Sequence, residues 1–295
     1  MQSIPTLLLL ILMHFTGCGL PGTDYRVNTA QIAVDSSKVN HYPWLADYAI
    51  EDMLVNRIPP PKGYRRTPVT ANSYADWLRH LPLKEKGAAV HLFYGGLKKN
   101  QQIHHAVVDI DTGERDLQQC ADAVMRLQAE YFFSKKEYKK IHFNFTSGHT
   151  VRFDDWRKGK KPVVKGNKVT FTPSSGKADN SYRNFKKYLQ TIFTFAGTKS
   201  LEKEMQPKRL EDIEIGDVFI HGGFPGHAVL VVDLAADSDG NLLMLLAQSY
   251  MPAQDIHILK NTNDKALSPW FKVDFGQQLL TPEWTFNKDE IRTRR

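Results

Sequence analysis

Two long apolar runs separated by a turn constrain this chain more than any other feature. From Gly216 to Tyr250 the sequence reads GDVFIHGGFPGHAVLVVDLAADSDGNLLMLLAQSY. SDGN at Ser238–Asn241 is a turn signal, and the flanking runs are rich in Val and Leu, so the segment reads as a buried antiparallel hairpin. Such a hairpin needs a core around it. With 295 residues, 41% hydrophobic and 11% aromatic, the chain has enough apolar side chains to build one. The polar residues stand at the mouth. His227 opens the first run, and Gln248 and Tyr250 close the second. With the turn near Asp239, His227 lies opposite Gln248–Tyr250, and the register decides whether Gln248 or Tyr250 faces the imidazole.

The rest of the chain mixes helices and strands. DLQQCADAVMRLQAEYFFS (116–134) is the clearest helix. Asp116 and Gln119 have capping-box spacing, and Leu117, Cys120, Val124, Leu127 and Tyr131 form one apolar stripe. NSYRNFKKYLQTIFTFAGT predicts a second helix, capped near Asn180 and ended at Gly197. Short helices are expected around Trp44–Met53 and over NSYADWLRHLPL, the latter stopped by Pro82. AAVHLFYGG with IHHAVVDID, and KIHFNFTSG with HTVRFDDW, predict two further hairpins. The expected class is α+β, with strands concentrated late in the chain.

The N-terminus sets the compartment. TLLLLILM (Thr6–Met13) is too short to span a bilayer but suits the apolar core of a signal peptide. Thr16 and Gly17 then precede Cys18. This pattern resembles a bacterial lipoprotein signal, with Cys18 lipidated; the plainer reading is a secretory peptide cleaved near Gly17. Either way the protein is exported. The organisation expected is a signal peptide over 1–18, a linker and irregular lead-in over 19–67, and one α+β domain over 68–295. The formal net charge of +7 favours acidic partners. The cluster Lys158, Lys160, Lys161 and Lys165 reads as a solvated face. There is no nucleic-acid motif, and export argues against one.

The chain holds only two cysteines, so lipidation of Cys18 leaves Cys120 as an unpaired thiol in an oxidising compartment. Cys120 belongs to the apolar stripe and can be plain core. It also lies in the first turn of its helix, where free N–H groups and the dipole favour a thiolate. A thiol nucleophile needs a histidine to take its proton, and His227 is the candidate base. Gln248 would orient that histidine, with Tyr250 as the alternative. Gln118 or Gln119 could supply an amide to an oxyanion hole, or could be ordinary helix caps. His227 could equally be a strand-edge histidine satisfied by backbone. Asp122, Arg126 and Glu130, spaced i,i+4, read as surface pairs. His104 and His105 alternate faces in a strand, so at most one lines a pocket. His221 and His227 lack metal-ligand spacing, and neither a metal nor another cofactor is expected. Gly222, Gly223 and Gly226 read as a loop that approaches a neighbouring chain or substrate closely.

A cysteine at a helix N-terminus, then a histidine opening a strand, then an amide on the next strand resembles the papain-like thiol hydrolases, most of all the NlpC/P60 and CHAP cell-wall amidases. GDVFI followed by GHAVLVV is similar to a motif pair in those enzymes. The resemblance spans Asp116–Tyr250 at most. It implies a Cys-bearing helix packed on an antiparallel sheet, catalytic roles for Cys120, His227 and Gln248, and an amide or peptide bond of peptidoglycan as substrate. The long Cys120-to-His227 interval implies inserted elements. Over nearly its whole length the chain is also similar to a family of exported bacterial lipoproteins defined as a domain of unknown function. LQQCADAVMRLQAEY, FAGTKSLEKE, GDVFIHGGFPGHAVLVVD, LLAQSYMPAQDIHIL and PEWTF carry that likeness. The competing reading is a non-catalytic envelope lipoprotein that binds glycan or protein through a papain-like scaffold.

Overall fold

The apolar hairpin is the centre of the structure. In the computed structural model, which describes residues 42–294, strand β9 (His227–Ala236) and strand β10 (Leu242–Gln248) are buried along almost their whole length. Leu242 pairs with Ala236 and Leu245 with Asp233; the register then shifts, so that Leu246 pairs with Val231 and Ala247 with Leu230. Burial follows from layers on both faces. Ala228, Leu230, Val232, Leu243 and Leu245 join a helical core with Leu127, Phe185 and Leu189. Val229, Val231, Met244 and Leu246 join a second core with Phe219, Phe286 and Ile291. Alternate side chains of each strand thus feed two cores, which is why the runs carry so little polarity.

Around this hairpin the described residues form a nine-stranded antiparallel sheet. Its other members are β1 (Arg65–Arg66), β2 (His104–Val107), β7 (Gln206–Pro207), β8 (Val218–His221), β11 (His257–Leu259), β12 (Phe271–Lys272) and β15 (Ile291–Thr293). The path runs β2-β11-β10-β9-β8-β15-β7, with β1 added to β9 and β12 to β10. Three small hairpins pair β3 (His142–Asn144) with β4 (Thr150–Arg152), β5 (Pro162–Lys165) with β6 (Lys168–Phe171), and β13 (Gln278–Leu280) with β14 (Thr285–Asn287). The helices are α1 (Leu54–Arg57), α2 (Tyr74–Arg79), α3 (Cys120–Ser134), α4 (Phe153–Trp156), α5 (Tyr182–Phe195) and α6 (Thr198–Glu204). The class is therefore α+β with a large antiparallel sheet. Elements β3 to β8 and α4 to α6 fill the interval between Cys120 and His227.

Local chemistry sets the helix ends. Ser73 and Ser181 cap α2 and α5, accepting from the backbone N–H groups of Asp76 and Asn184. Helix α3 starts later than its sequence pattern suggests. Its cap is Gln119, whose backbone N–H donates to Asp122 Oδ2 at 3.0 Å; from Gln119, Asp116 receives the side-chain amide and not the backbone N–H, also at 3.0 Å. Cys120 is thus the first residue of the helix.

Three sequence expectations are corrected. AAVHLFYGG does not pair with β2. Leu92 instead bridges to Gln254, and β2 pairs with β11, because the buried hairpin offers a longer edge than a local turn. Second, the lead-in from Tyr42 to Thr67 is built into the fold. Tyr42 and Leu54 are buried, β1 extends the sheet, and Arg66 and Arg79 both bind Asp233 in β9, at 2.6 and 2.7 Å. Residues 1–41, with Cys18, lie outside the described residues. Third, Asp122, Arg126 and Glu130 are buried, not surface pairs. Arg126 donates to Glu130 Oε1 at 2.7 Å, to Asp111 at 3.1 Å and to Gln118 Oε1 at 2.8 Å, and Tyr182 donates to Glu130 at 2.7 Å. Spacing on one helix cannot reveal this, because the groups that bury Arg126 and Glu130, such as Tyr182 of α5, lie far away in sequence.

Replacing Arg126 with methionine leaves the Glu130 carboxylate in the core without its cation. We expect a loss of about 3–5 kcal/mol in denaturant unfolding. A change below about 1 kcal/mol would mean that Glu130 is neutral or hydrated.

Candidate functional site

Cys120, His227 and Gln248 converge at one end of the hairpin. The start of α3 is held there by the segment after β10, through one side chain and one backbone N–H. The buried Ser249 hydroxyl lies 2.8 Å from the carbonyl oxygens of Gln118 and Gln254, and the Ala253 N–H donates to Asp116 at 2.7 Å. Backbone N–H groups of Ala121, Ala228 and Cys120 face the Cys120 sulfur and favour its thiolate form, Ala228 being the residue after His227 in β9. The thiol is 8% exposed and the imidazole 1%.

The hydrogen bonds define the state of the imidazole. His227 Nε2 lies 2.9 Å from Gln248 Oε1, and Gln248 Nε2 donates to Glu283 Oε2 at 2.6 Å. A carboxylate beside a lysine only accepts, so the amide presents its oxygen to His227. His227 then carries its proton on Nε2 and keeps a lone pair on Nδ1. Behind them, His257 donates from Nδ1 to the Asp255 carbonyl at 2.9 Å, and its Nε2 lies 3.4 Å from Gln248 Nε2. Tyr250, Trp284 and Phe286 wall the His227 ring, with centroids at 4.9, 5.6 and 5.9 Å. Gln248 is thus the residue bonded to the imidazole, and Tyr250 packs on it.

The electrostatics differ from the expectation at the thiol. Burial, with help from Asp122, pushes the Cys120 thiol up to about 11, although the three N–H groups oppose this. Burial also pushes His227 down to about 4, against the Gln248 hydrogen bond, and His257 down to about 3. Desolvation outweighs the helix end, so the resting pair is a neutral thiol and a neutral imidazole. No hydrogen bond joins the Cys120 thiol to the His227 ring, whose side-chain partner is Gln248.

The other candidates fall in different places. Gln118 is buried, with its amide oxygen on Arg126 and its Nε2 without a partner. Gln119 spends its amide on Asp116. His221 is half-exposed and pairs with Glu290 at 2.5 Å. His104 is buried against Ala88 and His257, whereas His105 faces outward. A cavity of about 1100 Å³ is lined by Lys208, Glu211, Phe275, Gln278 and Lys288, and holds none of the Cys120 cluster. Sequence reasoning missed Lys98, His257, Glu283 and Trp284. PEWTF and LLAQSYMPAQDIHIL carried the signal, the first holding Glu283 and Trp284 and the second His257.

The loop before His227 packs closely against its own chain. Gly226 does not have a left-handed backbone, but a Cβ there would meet Thr198 Oγ1 and lie 2.7 Å from the carbonyl oxygens of His221 and Gly223. Thr198 opens α6, so space rather than dihedral demands glycine. Gly226→Ala is expected to cost about 1–3 kcal/mol, read by denaturant unfolding, because backbone must shift. Unchanged stability would show that the loop has slack.

No curated protein and no solved structure matches this chain. The profile of one family does, over residues 54–293, a span containing every residue of the cluster. By that match the chain belongs to the family described as Domain of unknown function (4846).

Proposed function

We propose that this protein is a thiol hydrolase of the cell envelope, with a papain-like arrangement of Cys120, His227 and Gln248. The observation that carries the reading is the meeting of the lone described thiol, at the first residue of α3, with the strand N–H that follows a buried histidine held in one tautomer. In the first step Cys120 Sγ attacks an acyl carbon while His227 Nδ1 takes the thiol proton. The imidazolium then gives that proton to the leaving amine as the C–N bond breaks. Water, deprotonated by His227, attacks the thioester, and the thiol regains its proton as the acid departs. The free Gln118 Nε2 and the N–H groups at the start of α3 are the donors available to the oxyanion. Because the resting pair is neutral, proton transfer accompanies attack rather than preceding it.

The substrate class is an amide or peptide bond, with peptidoglycan the polymer an exported enzyme would meet. Lipid on Cys18 would keep the enzyme at the membrane, and Cys18→Ala should then move it from the membrane to the soluble fraction on cell fractionation. Retention of that variant would remove the anchor. The test of chemistry uses p-nitrophenyl acetate as a simple acyl donor. Wild type should release p-nitrophenol and carry one acetyl group on the Cys120 peptide by mass spectrometry; Cys120→Ala should do neither. An unacetylated Cys120 would leave the scaffold as a binding module.

A further inference from the structure

Glu283 bridges Lys98 and Gln248 through a single carboxylate. Its Oε2 accepts from Gln248 Nε2 at 2.6 Å and its Oε1 from Lys98 Nζ at 2.7 Å. The lysine side chain is 8% exposed and the glutamate 18%, so this is a shielded pair. Lys98 is itself placed by the loop before β2. Its backbone N–H donates to Val90, its carbonyl accepts from the Gln101 amide at 2.8 Å, and its ammonium lies 5.2 Å from the Tyr250 ring centre. Residues far apart in sequence thus meet at one amide.

An isolated glutamine amide has two orientations of nearly equal energy, related by a half-turn. Here they differ greatly. As observed, the Gln248 NH₂ group faces two acceptors, Glu283 Oε2 and His257 Nε2, and its oxygen faces His227. Turned over, the oxygen would face the carboxylate and the NH₂ group would face His227 Nε2. The only good bond left to His227 would then require the proton to sit on Nδ1, the nitrogen that must hold a lone pair to act as base.

We infer that Glu283, pinned by Lys98, is a positioning residue that fixes the Gln248 amide and so sets the His227 tautomer. The inference rests on the hydrolase reading for its catalytic consequence, but its structural content stands apart from it. The role is one of polarity: what matters at position 283 is an acceptor aimed at Gln248, not the negative charge.

Two double variants separate acceptor from charge. Lys98→Met with Glu283→Gln removes both charges yet leaves an amide oxygen free to face Gln248. Lys98→Met with Glu283→Leu removes both charges and the acceptor. The ¹⁵N spectrum of the His227 ring reports the tautomer, and p-nitrophenyl acetate reports the acylation rate of Cys120. The glutamine variant should keep the Nε2–H tautomer and stay within about threefold of the wild-type rate. The leucine variant should gain the Nδ1–H tautomer and slow by about tenfold or more, within the range a displaced general base costs. The same tautomer and the same rate in both variants would overturn the inference. If wild-type Cys120 is not acylated at all, the hydrolase reading fails, and the tautomer comparison alone still decides the role of Glu283.

Discussion

His227→Ala is expected to slow acetylation of Cys120 by p-nitrophenyl acetate about 10²–10⁴-fold at pH 7, while leaving the fold intact. The size follows from the state of the thiol. Burial and Asp122 hold Cys120 near 11, so only a minute fraction is thiolate at neutral pH without help. The imidazole supplies that help during attack. Raising the pH should partly rescue the variant as the thiol ionises unaided, and a rate rising towards pH 11 is the mark of a lost base rather than a damaged fold. If the variant reacts as fast as wild type, Cys120 is an ordinary buried cysteine, the imidazole serves packing, and the catalytic assignment fails.

Acid should destabilise the fold through the same cluster. His227 falls from 6.5 to about 4 and His257 from 6.5 to about 3, both through desolvation first. Both are neutral in the folded and unfolded chain above pH 6.5. Below it the unfolded chain takes up protons that the folded chain refuses, so stability falls with pH from 6.5 until each folded value is passed. Each histidine accounts for a loss on the order of 3–5 kcal/mol over that window, a large part of the 5–15 kcal/mol typical of a domain. Asp122 acts in the opposite sense, since burial raises its carboxyl and acid relieves that penalty. Comparing wild type with His257→Asn cancels the carboxylates: the variant should lose clearly less stability between pH 6.5 and 4. Parallel curves would mean that water or an anion reaches the cluster.

Sequence and structure divide the description along a physical line. The hairpin was legible because its information is local. A turn signal between two apolar runs, with strand periodicity, specifies β9, β10 and their burial without reference to the rest of the chain. Helices α3 and α5 were legible for the same reason, through an apolar stripe and, at Ser181, a cap close to the expected Asn180. The placing of Cys120 in the first turn of a helix and of His227 at the hairpin mouth also came from local pattern, whereas the choice of Gln248 over Tyr250 as the partner of the imidazole came from the structure.

What the sequence left open depends on contacts between distant residues. Nothing around position 98 or 283 announces an ion pair spanning 185 residues, nor that its carboxylate would fix the polarity of Gln248. The i,i+4 spacing of Asp122, Arg126 and Glu130 is the same on an exposed or a covered helix face; the structure buries all three and joins Arg126 and Glu130 to Tyr182 of α5. The thiol shows the difference most plainly. A helix N-terminus favours a thiolate, and that much is read from sequence; the depth at which the helix end is buried, and the carboxyl of Asp122 beside it, reverse the sign. The sequence by itself determined which elements form and which side chains stand at their ends. The tertiary structure decided their charge states, their partners and the tautomer of the base, because desolvation and hydrogen-bond polarity are set by what is packed around a group and not by its neighbours along the chain.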